Sequence, residues 1–315
     1  MAYAALLSRA AAQALALLIN LPTIPVPDRC LTTCTQAAAT EMPRVPAIYK
    51  IILAVFFVPL CAQAASVCHE YSSKIPNLSE AHCEAASLQD MHAKTVQGRT
   101  IFGVDVPAEK PDLHVLVIGA IHGDEMTSGE LVYEWMSMAR THSMDTPLHI
   151  YWRFIPVVNP DGLFANPSRR TNAHGVDLNR NFPTPNWARD AKTQWEKRTR
   201  KDPRRWPGPS SGSEPETRFV LSQMASFKPN LIVSVHAPYA VLDFDGPFVP
   251  PSRLGRLYLD QIGVFPGSLG NYSGVYRHIP VVTVELSNAR RMPQPGEVRE
   301  MWRDLLHWVN EKLAK

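Results

Sequence analysis

The sequence carries almost no excess charge of either sign. It has 32 Lys and Arg residues against 29 Asp and Glu residues, which gives a formal net charge of +3. Proteins that bind nucleic acid concentrate basic residues in patches or stripes, and this chain has neither a basic repeat nor a glycine-rich phosphate-binding loop. We therefore expect no nucleic-acid partner. The sequence also has no internal repeat, which excludes a solenoid or a propeller.

Long hydrophobic runs are missing except for one short stretch near the N-terminus. Residues 51–61 are apolar, follow the basic residues Arg44 and Lys50, and precede the small-x-small sequence of residues 62–64. This order is typical of a secretory signal peptide, and the apolar run is shorter than a helix that spans a bilayer. We therefore predict a signal peptide over residues 42–64.

Cleavage after this segment makes Ala65 the first mature residue. The mature protein is then periplasmic and has no stable membrane insertion. An uncleaved membrane anchor is the main alternative, and lipid attachment at Cys61 is a weaker one. Residues 1–41 are rich in alanine and irregular. We interpret them as an extension outside the native protein, with translation starting at Met42.

Cysteine is scarce, and export changes what its positions mean. Of the five cysteines only Cys68 and Cys83 follow the predicted cleavage point. An even pair in an oxidising compartment predicts a disulfide, here within an N-terminal segment of residues 65–86. A loop of about 15 residues closed in this way contributes about 3 kcal/mol in the chain-entropy account. Two buried thiols are the alternative.

Apolar runs and helical patterns alternate along the rest of the chain. The runs "LHVLVI", "LHIYWRFIPVV", "NLIVSVHA" and "IPVVTVELS" predict strands, and "MTSGELVYEWMSMART" has apolar residues at helical spacing. A final amphipathic helix carries Val298, Trp302, Leu305, Leu306 and Val309. This alternation indicates an α/β three-layer sandwich with a mixed, largely parallel central sheet. No linker divides residues 87–315, so we expect one catalytic domain there.

Residues capable of metal or proton chemistry stand at the ends of three predicted strands. His122 and Glu125 follow the first strand, His236 ends the third and Glu285 ends the fourth. In open α/β sheets, ligands collect beyond the carboxyl ends of the strands. Two imidazoles and one carboxylate form a catalytic zinc set that leaves a fourth position for water. The His-x-x-Glu pair alone is more often a polar helix start, so the prediction depends on the occurrence of all four residues at strand ends.

Four sequence blocks occur in the order found in the zinc carboxypeptidase family. They are "HGDE", "VDLNRNFP", the strand-ending His236 and "TVEL". The stretches "ANPSRRTNAHGVDLNRNFPTPNW" and "SGSEPET" most resemble its peptidoglycan-cleaving members, the murein peptide amidases and related D,L-carboxypeptidases. The resemblance covers about residue 87 to the C-terminus. This chain departs from the family in four features: the signal peptide, the cysteine pair, the segment after His236 and a longer basic loop (residues 189–212). That loop is either a solvated surface or a contact for acidic wall polymer.

The resemblance implies a catalytic centre with one Zn²⁺ per chain. His122, Glu125 and His236 correspond to the zinc ligands, and Glu285 corresponds to the general base. Asp177 resembles the residue that orients a zinc-bound histidine. Two ordinary interpretations stay open beside these roles, a strand-end carboxylate for Glu285 and a turn aspartate for Asp177.

The resemblance also implies a site for substrate. Arg170 corresponds to the residue nearest the scissile carbonyl, although Arg169 stands beside it and the register could slip by one. Asn179 and Arg180 correspond to residues that hold the terminal carboxylate, for which an arginine fork is well suited.

The murein-cleaving relatives hydrolyse the bond between γ-D-glutamate and meso-diaminopimelate in peptidoglycan stem peptides, so a stem peptide or muropeptide is the expected partner. Diaminopimelate carries a distal ammonium, for which Asp243 and Asp245 are our candidates. The alternative is that these aspartates only form a turn.

Three rival functions stay open: a carboxypeptidase for ordinary L-peptides, an acyl-amino-acid deacylase and a non-catalytic wall-binding protein.

Overall fold

The computed structural model describes residues 67–141 and 146–313. The predicted signal peptide and the extension before it lie outside the described residues. The strands are β1 (Gln89–Lys94), β2 (Thr100–Val106), β3 (Leu113–Ile118), β4 (Ile150–Ile155), β5 (Leu231–His236), β6 (Val241–Asp245), β7 (Arg253–Leu254), β8 (Leu257–Tyr258) and β9 (Val281–Glu285). The helices are α1 (Glu80–Ala86), α2 (Met126–Thr141), α3 (Pro160–Phe164), α4 (Trp187–Thr193), α5 (Pro215–Phe227) and α6 (Pro295–Lys312). Residues 67–74 are also helical.

The central sheet has seven strands in the order β1-β2-β4-β3-β5-β9-β6. The inner strands β4, β3, β5 and β9 run parallel to one another. Strands β1 and β2 at one side and β6 at the other are antiparallel to their neighbours. The mixed sheet predicted from the sequence is therefore confirmed, but its parallel part is confined to the four inner strands.

Both faces of the inner strands are buried, which explains why these strands read as unbroken apolar runs. Val115 and Val117 of β3 belong to a core cluster with residues of α2 and α6. The alternate residues Leu116 and Ile118 belong to a second cluster with residues of α5. Helices thus cover both faces, as expected for a three-layer α/β sandwich.

Helix α6 buries the stripe that its sequence predicts. Val298, Trp302, Leu305, Leu306 and Val309 are each at most 3% exposed. Burying a large apolar side chain contributes about 1.5–3 kcal/mol, so this stripe supplies much of the attachment of α6 to the sheet.

The segment before the sheet is closed by a disulfide. Cys68 and Cys83 form a disulfide between helical residues 67–74 and α1. Both cysteines are buried, and Arg140 of α2 donates hydrogen bonds to the carbonyl oxygens of Ala85 and Ala86. Among the helices of the described residues, none is long and apolar enough to cross a membrane.

Candidate active site

The turn after β3 brings two potential metal ligands to the same point. The chain leaves the strand at Ile118 and reaches α2 at Met126. A Cβ atom at Gly123 would overlap the backbone of Gly162, so only glycine fits this tight approach. The turn folds back the side chains of His122 and Glu125, and His122 Nδ1 lies 2.8 Å from Glu125 Oε1.

His236, the last residue of β5, completes the group. Its Nδ1 atom lies 3.0 Å from Glu125 Oε2 and 3.2 Å from His122 Nδ1. One potential ligand atom from each of the three residues lies within 4.8 Å of the others, and all three residues are buried. Buried imidazole and carboxylate groups that converge in this way are a donor set suited to zinc.

The outer nitrogen of each imidazole has its own partner. His122 Nε2 lies 3.1 Å from Asp177 Oδ1, and His236 Nε2 lies 3.0 Å from Ser234 Oγ. Such contacts fix the ring orientation of metal-bound histidines. Asp177 is where the sequence predicts it, whereas Ser234 was not predicted. Its signal is a single hydroxyl in an apolar strand, two residues before His236 and thus on the same sheet face.

Arg170 faces the ligand group and Arg169 does not. Arg170 donates from Nε to Asp177 Oδ2 over 2.9 Å and from Nη1 to Glu125 Oε1 over 3.3 Å. Arg169 makes no side-chain hydrogen bond or ion pair within the described part of the chain, and its buried Nε has no partner. Of the two registers left open by the sequence, the geometry favours Arg170 as the residue beside the reaction centre.

The charges of the centre compensate one another. Burial alone would raise the pKa of Glu125, but His122 and His236 outweigh burial and hold that pKa below its usual value. Burial also opposes ionisation of Asp177, but the Arg170 guanidinium and His122 hold its pKa well below the usual range. Both carboxylates are therefore ionised at neutral pH.

Glu285 differs from these two carboxylates because burial outweighs the groups that favour its charged form. It pairs in register with His236 across the parallel strands β5 and β9, and it is 7% exposed. Its Oε2 atom is buried without a hydrogen-bond partner, and burial raises its pKa. A carboxylate with one free oxygen beside a metal-competent group fits a site that also receives a water molecule.

Arg180 is a buried cation that has no carboxylate partner among the described residues. It is 8% exposed, its Nη1 donates to the carbonyl oxygen of Asn179, and its guanidinium lies 4.6 Å from the centroid of the Phe265 ring. Burial lowers its pKa to about 10. The Asn179 side chain accepts a hydrogen bond from the Leu269 backbone over 2.8 Å. An arginine buried in this way is suited to an incoming carboxylate.

Asp243 and Asp245 lie on strand β6 rather than in a loop. Asp243 pairs with Thr283 and Asp245 with Val281 of β9, so both aspartates share a sheet face with Glu285. The Asp243 carboxylate accepts a hydrogen bond from the Phe244 backbone. Burial and the charge of Asp243 raise the pKa of Asp245 to about 6. The interpretation of "DFDGP" as a turn is wrong for these two residues, because both are strand residues.

Comparison with known proteins agrees with this geometry. The family described as zinc carboxypeptidase matches residues 71–244, more than half of the chain. Murein peptide amidase A of Escherichia coli K12 is 31% identical over 155 residues, which are 48% of this chain and 60% of that protein. The chain thus spans about three-fifths of the length of that relative. Murein peptide amidase A of Vibrio campbellii is 29% identical over 204 residues, covering 61% of this chain and 78% of that protein.

A solved structure shows the same fold at low sequence identity. Bovine thrombin-activatable fibrinolysis inhibitor, in complex with tick carboxypeptidase inhibitor, aligns with a TM-score of 0.55 and 18% identity. The alignment covers 78% of this chain and 94% of that one. Since the family match spans the turn after β3, strand β5 and most of β6, this chain belongs to the zinc carboxypeptidase family.

Proposed function

We propose that the protein is an exported zinc metallocarboxypeptidase, or amidase, that cleaves the γ-D-glutamyl–meso-diaminopimelate bond of peptidoglycan tripeptide stems. One observation carries this proposal. Asp243 and Asp245 share a sheet face with Glu285, and the segment of residues 267–270 contacts both the backbone of the buried Arg180 and the Asp245 carboxylate. A terminal residue that bears both a carboxylate and a distal ammonium complements these charges, and diaminopimelate is such a residue.

His122, Glu125 and His236 would hold the metal. A bound zinc ion supplies Lewis acidity at the scissile carbonyl and lowers the pKa of water. The chain supplies the remaining chemistry. Glu285 has a buried oxygen free to accept a proton from the attacking water, and it then delivers that proton to the leaving amine. Its raised pKa suits a group that must both accept and release a proton near neutral pH.

Arginine side chains orient the peptide around this base. Arg170 is held by Glu125 and Asp177 close to the ligand group, where its guanidinium can stabilise negative charge that develops on the carbonyl oxygen. Asn179 and Arg180 bind the terminal carboxylate of the leaving residue. Asp243 and Asp245 bind its distal ammonium.

Two further observations support a peptidoglycan substrate in the periplasm. The curated relatives quoted above are named murein peptide amidases. The signal-peptide pattern of residues 42–64 and the disulfide between Cys68 and Cys83 both fit an exported protein.

The test is digestion of defined muropeptides by the mature protein. We expect release of diaminopimelate from the tripeptide stem, no release from tetrapeptide or pentapeptide stems, loss of activity with a chelator and recovery with zinc. Release of terminal alanine from the longer stems would contradict the assignment, as would activity that survives chelation.

A second candidate is a carboxypeptidase for L-peptides that end in lysine or arginine. The acidic pair on β6 favours it over a carboxypeptidase for apolar ends, because the pair would also attract these cationic side chains. Peptides with L-lysine in place of diaminopimelate distinguish the two candidates. Cleavage of the lysine peptides with equal or higher kcat/KM would favour this second function.

A further inference from the structure

A cavity of 410 Å³ opens beside Arg170. It is lined by the loop of residues 169–175 and by residues 195–206 of the basic loop. Two indole rings, those of Trp195 and Trp206, form part of its wall. The basic loop is anchored here, because the carbonyl oxygen of Trp206 accepts a hydrogen bond from the backbone N–H of Asp177. The volume falls in the range typical of small-molecule sites, about 300–1,000 Å³.

The three arginines of this cavity differ in how their charges are compensated. Arg170 is paired with Asp177 and Glu125, and Arg204 donates to Asp124 Oδ2 over 2.9 Å. Arg169 has no carboxylate partner in the ranges that the structure describes, and its buried Nε donates to no atom. A guanidinium with an unsatisfied buried donor is suited to an anionic or carbonyl acceptor from outside. The cavity is thus apolar in its walls and cationic at Arg169.

Its position relative to the reaction centre indicates which part of a substrate it receives. The residues assigned to the leaving amine, Arg180, Asp243 and Asp245, do not line the cavity. Across the sheet, β3 and its ligands lie between β4 and β5, and β9 and β6 follow on the far side. Arg170 is shared by the cavity wall and the ligand group. With Arg180, Asp243 and Asp245 assigned to the leaving residue, the cavity is left for the acyl side of the scissile bond.

We propose that this cavity is the acyl-side subsite, in which Arg169 binds a free carboxylate on the residue whose carbonyl is attacked. Trp195 and Trp206 receive the apolar group that precedes this residue. The inference rests on the proposed function, under which the attacked residue is a γ-linked glutamate with a free α-carboxylate and the preceding residue is alanine. An arginine fork distinguishes a carboxylate from an amide, because only the carboxylate offers two charged acceptors.

The test measures binding of acyl-side ligands without turnover. L-Alanyl-γ-D-glutamate and L-alanyl-D-isoglutamine, in which the α-carboxylate is an amide, are titrated calorimetrically into the full-length protein. We expect the acid to bind about tenfold or more tightly than the amide, the effect of a charge-assisted hydrogen bond. Arg169→Ala should abolish the preference, and Arg169→Lys should keep only part of it because lysine keeps the charge but not the fork.

Arg303→Ala is the matched control. This arginine is exposed on α6, which packs on the other face of the sheet, so its replacement removes the same charge without touching the cavity. The control should keep the preference of the wild-type protein. Equal binding of acid and amide, a preference that survives Arg169→Ala, or no binding of the acid would each overturn the proposal.

The result is independent of the bond that the enzyme cleaves. Both ligands lack diaminopimelate, so failure to release diaminopimelate from tripeptide would refute the proposed function and leave the binding result intact. Conversely, cleavage of tripeptide together with equal binding of the two ligands would refute the subsite alone.

Discussion

Glu285 is an ionisable group held in the interior with one oxygen that has no hydrogen-bond partner. Folding around such a group costs free energy, since a buried carboxylate without a partner loses its hydration. Its pKa is raised by this burial, while the neighbouring Glu125 and Asp177 keep lowered values because cations face them. The centre therefore contains two fixed charges and one carboxylate that can exchange a proton.

Glu285→Gln should lower kcat on the tripeptide by about 10²–10⁴-fold, the usual contribution of a general base. Zinc content should stay at one ion per chain, because Gln keeps the shape of the side chain and the ligands are other residues. Steady-state kinetics and metal analysis by mass spectrometry test this. Glu311→Gln, an exposed substitution on α6, serves as the control. A variant with wild-type kcat would remove Glu285 from the mechanism.

Asp245 should give the enzyme a pH dependence that Asp245→Asn lacks. Its pKa is raised to about 6 by burial and by Asp243. The distal ammonium binds the ionised form, so KM for the tripeptide should fall as pH rises through about 6 and then level off. In Asp245→Asn, KM should be about tenfold higher at pH 8 and lack this step, since a charge-assisted contact is lost.

The same raised pKa also predicts a stability effect with a definite sign. The folded state binds the proton of Asp245 more tightly than the unfolded state, so the stabilisation is complete below the unfolded pKa and is lost as pH rises through about 6. Asp245→Asn should match the wild type near pH 4 and have a higher Tm at pH 8, by about 2–4 °C after allowing for partial exposure. A Tm difference that does not change with pH would contradict this account.

The sequence indicates the candidate site where residue type alone is informative. His122, Glu125 and His236 stand out because two imidazoles and a carboxylate end strands that must share one edge. Ser234 and Arg169 were not assigned roles. A single serine in a strand and an arginine beside another arginine have no distinctive pattern, and only the three-dimensional contacts separate them from ordinary surface or core residues.

At the level of elements, the four strands predicted from apolar runs are the four inner parallel strands β3, β4, β5 and β9. Strands β1, β2 and β6 were missed. An outer strand needs fewer apolar residues, and β1 has only exposed and half-buried positions in "QDMHAK". In β6 the sequence "VLDFD" carries two aspartates, which are depleted in strands. Both aspartates nevertheless pair with residues of β9. They occupy the same sheet face as Glu285.

Strand β6 is held in place by the π-helical segment Gly270–Tyr276, which passes very close to it. A Cβ atom at Gly274 would overlap the carbonyl group of Asp245, and one at Gly270 would overlap its carboxylate. Glycine is required at both positions because the approach leaves no space for a side chain. The position of Asp245 therefore depends on this segment as well as on its own strand.

Gly274→Ala should displace the segment from β6 and disturb Asp245. We expect a loss of stability of about 1–3 kcal/mol, as for overpacked sites, and a higher KM for the tripeptide with a smaller change in kcat. Thermal unfolding and steady-state kinetics measure the two effects. Gly296→Ala is the matched control, because a Cβ there would meet only the end of the Arg299 side chain at 4.0 Å. A variant at position 274 that behaves like the control would refute the role of the close approach.

For the molecule as a whole, acidic and basic groups near the ligand group lie on different elements. The acidic pair Asp243 and Asp245 lies on β6, on the sheet face that carries Glu285, whereas Arg169 and Arg204 line the cavity beside Arg170. A substrate with an ammonium on its leaving residue and a carboxylate on its acyl residue is attracted in one orientation and repelled in the reverse one. This polarity unites the proposed function and the acyl-side subsite.

Export should leave a defined N-terminus on this protein. Exported protein should begin at Ala65, so that Cys68 lies close to the new N-terminus and joins Cys83 in an oxidising compartment. N-terminal sequencing of periplasmic material tests the cleavage, and intact mass before and after reduction and alkylation tests the disulfide. Sequence that begins at or before Met42, or two free thiols, would contradict export.

The disulfide should also raise the free energy of unfolding, but only in an oxidising compartment that keeps it formed. Replacing both cysteines with alanine should lower the free energy of unfolding by about 3 kcal/mol, the loop-closure contribution expected for the 15-residue separation. A reductant should lower the Tm of the wild type and leave the Tm of the double variant unchanged. Because the pair joins residues 67–74 to α1, which packs against α2 and not against the strand ends that carry the site, kcat at temperatures well below Tm should be the same in both proteins. A loss of kcat without a loss of stability would instead connect this segment to catalysis.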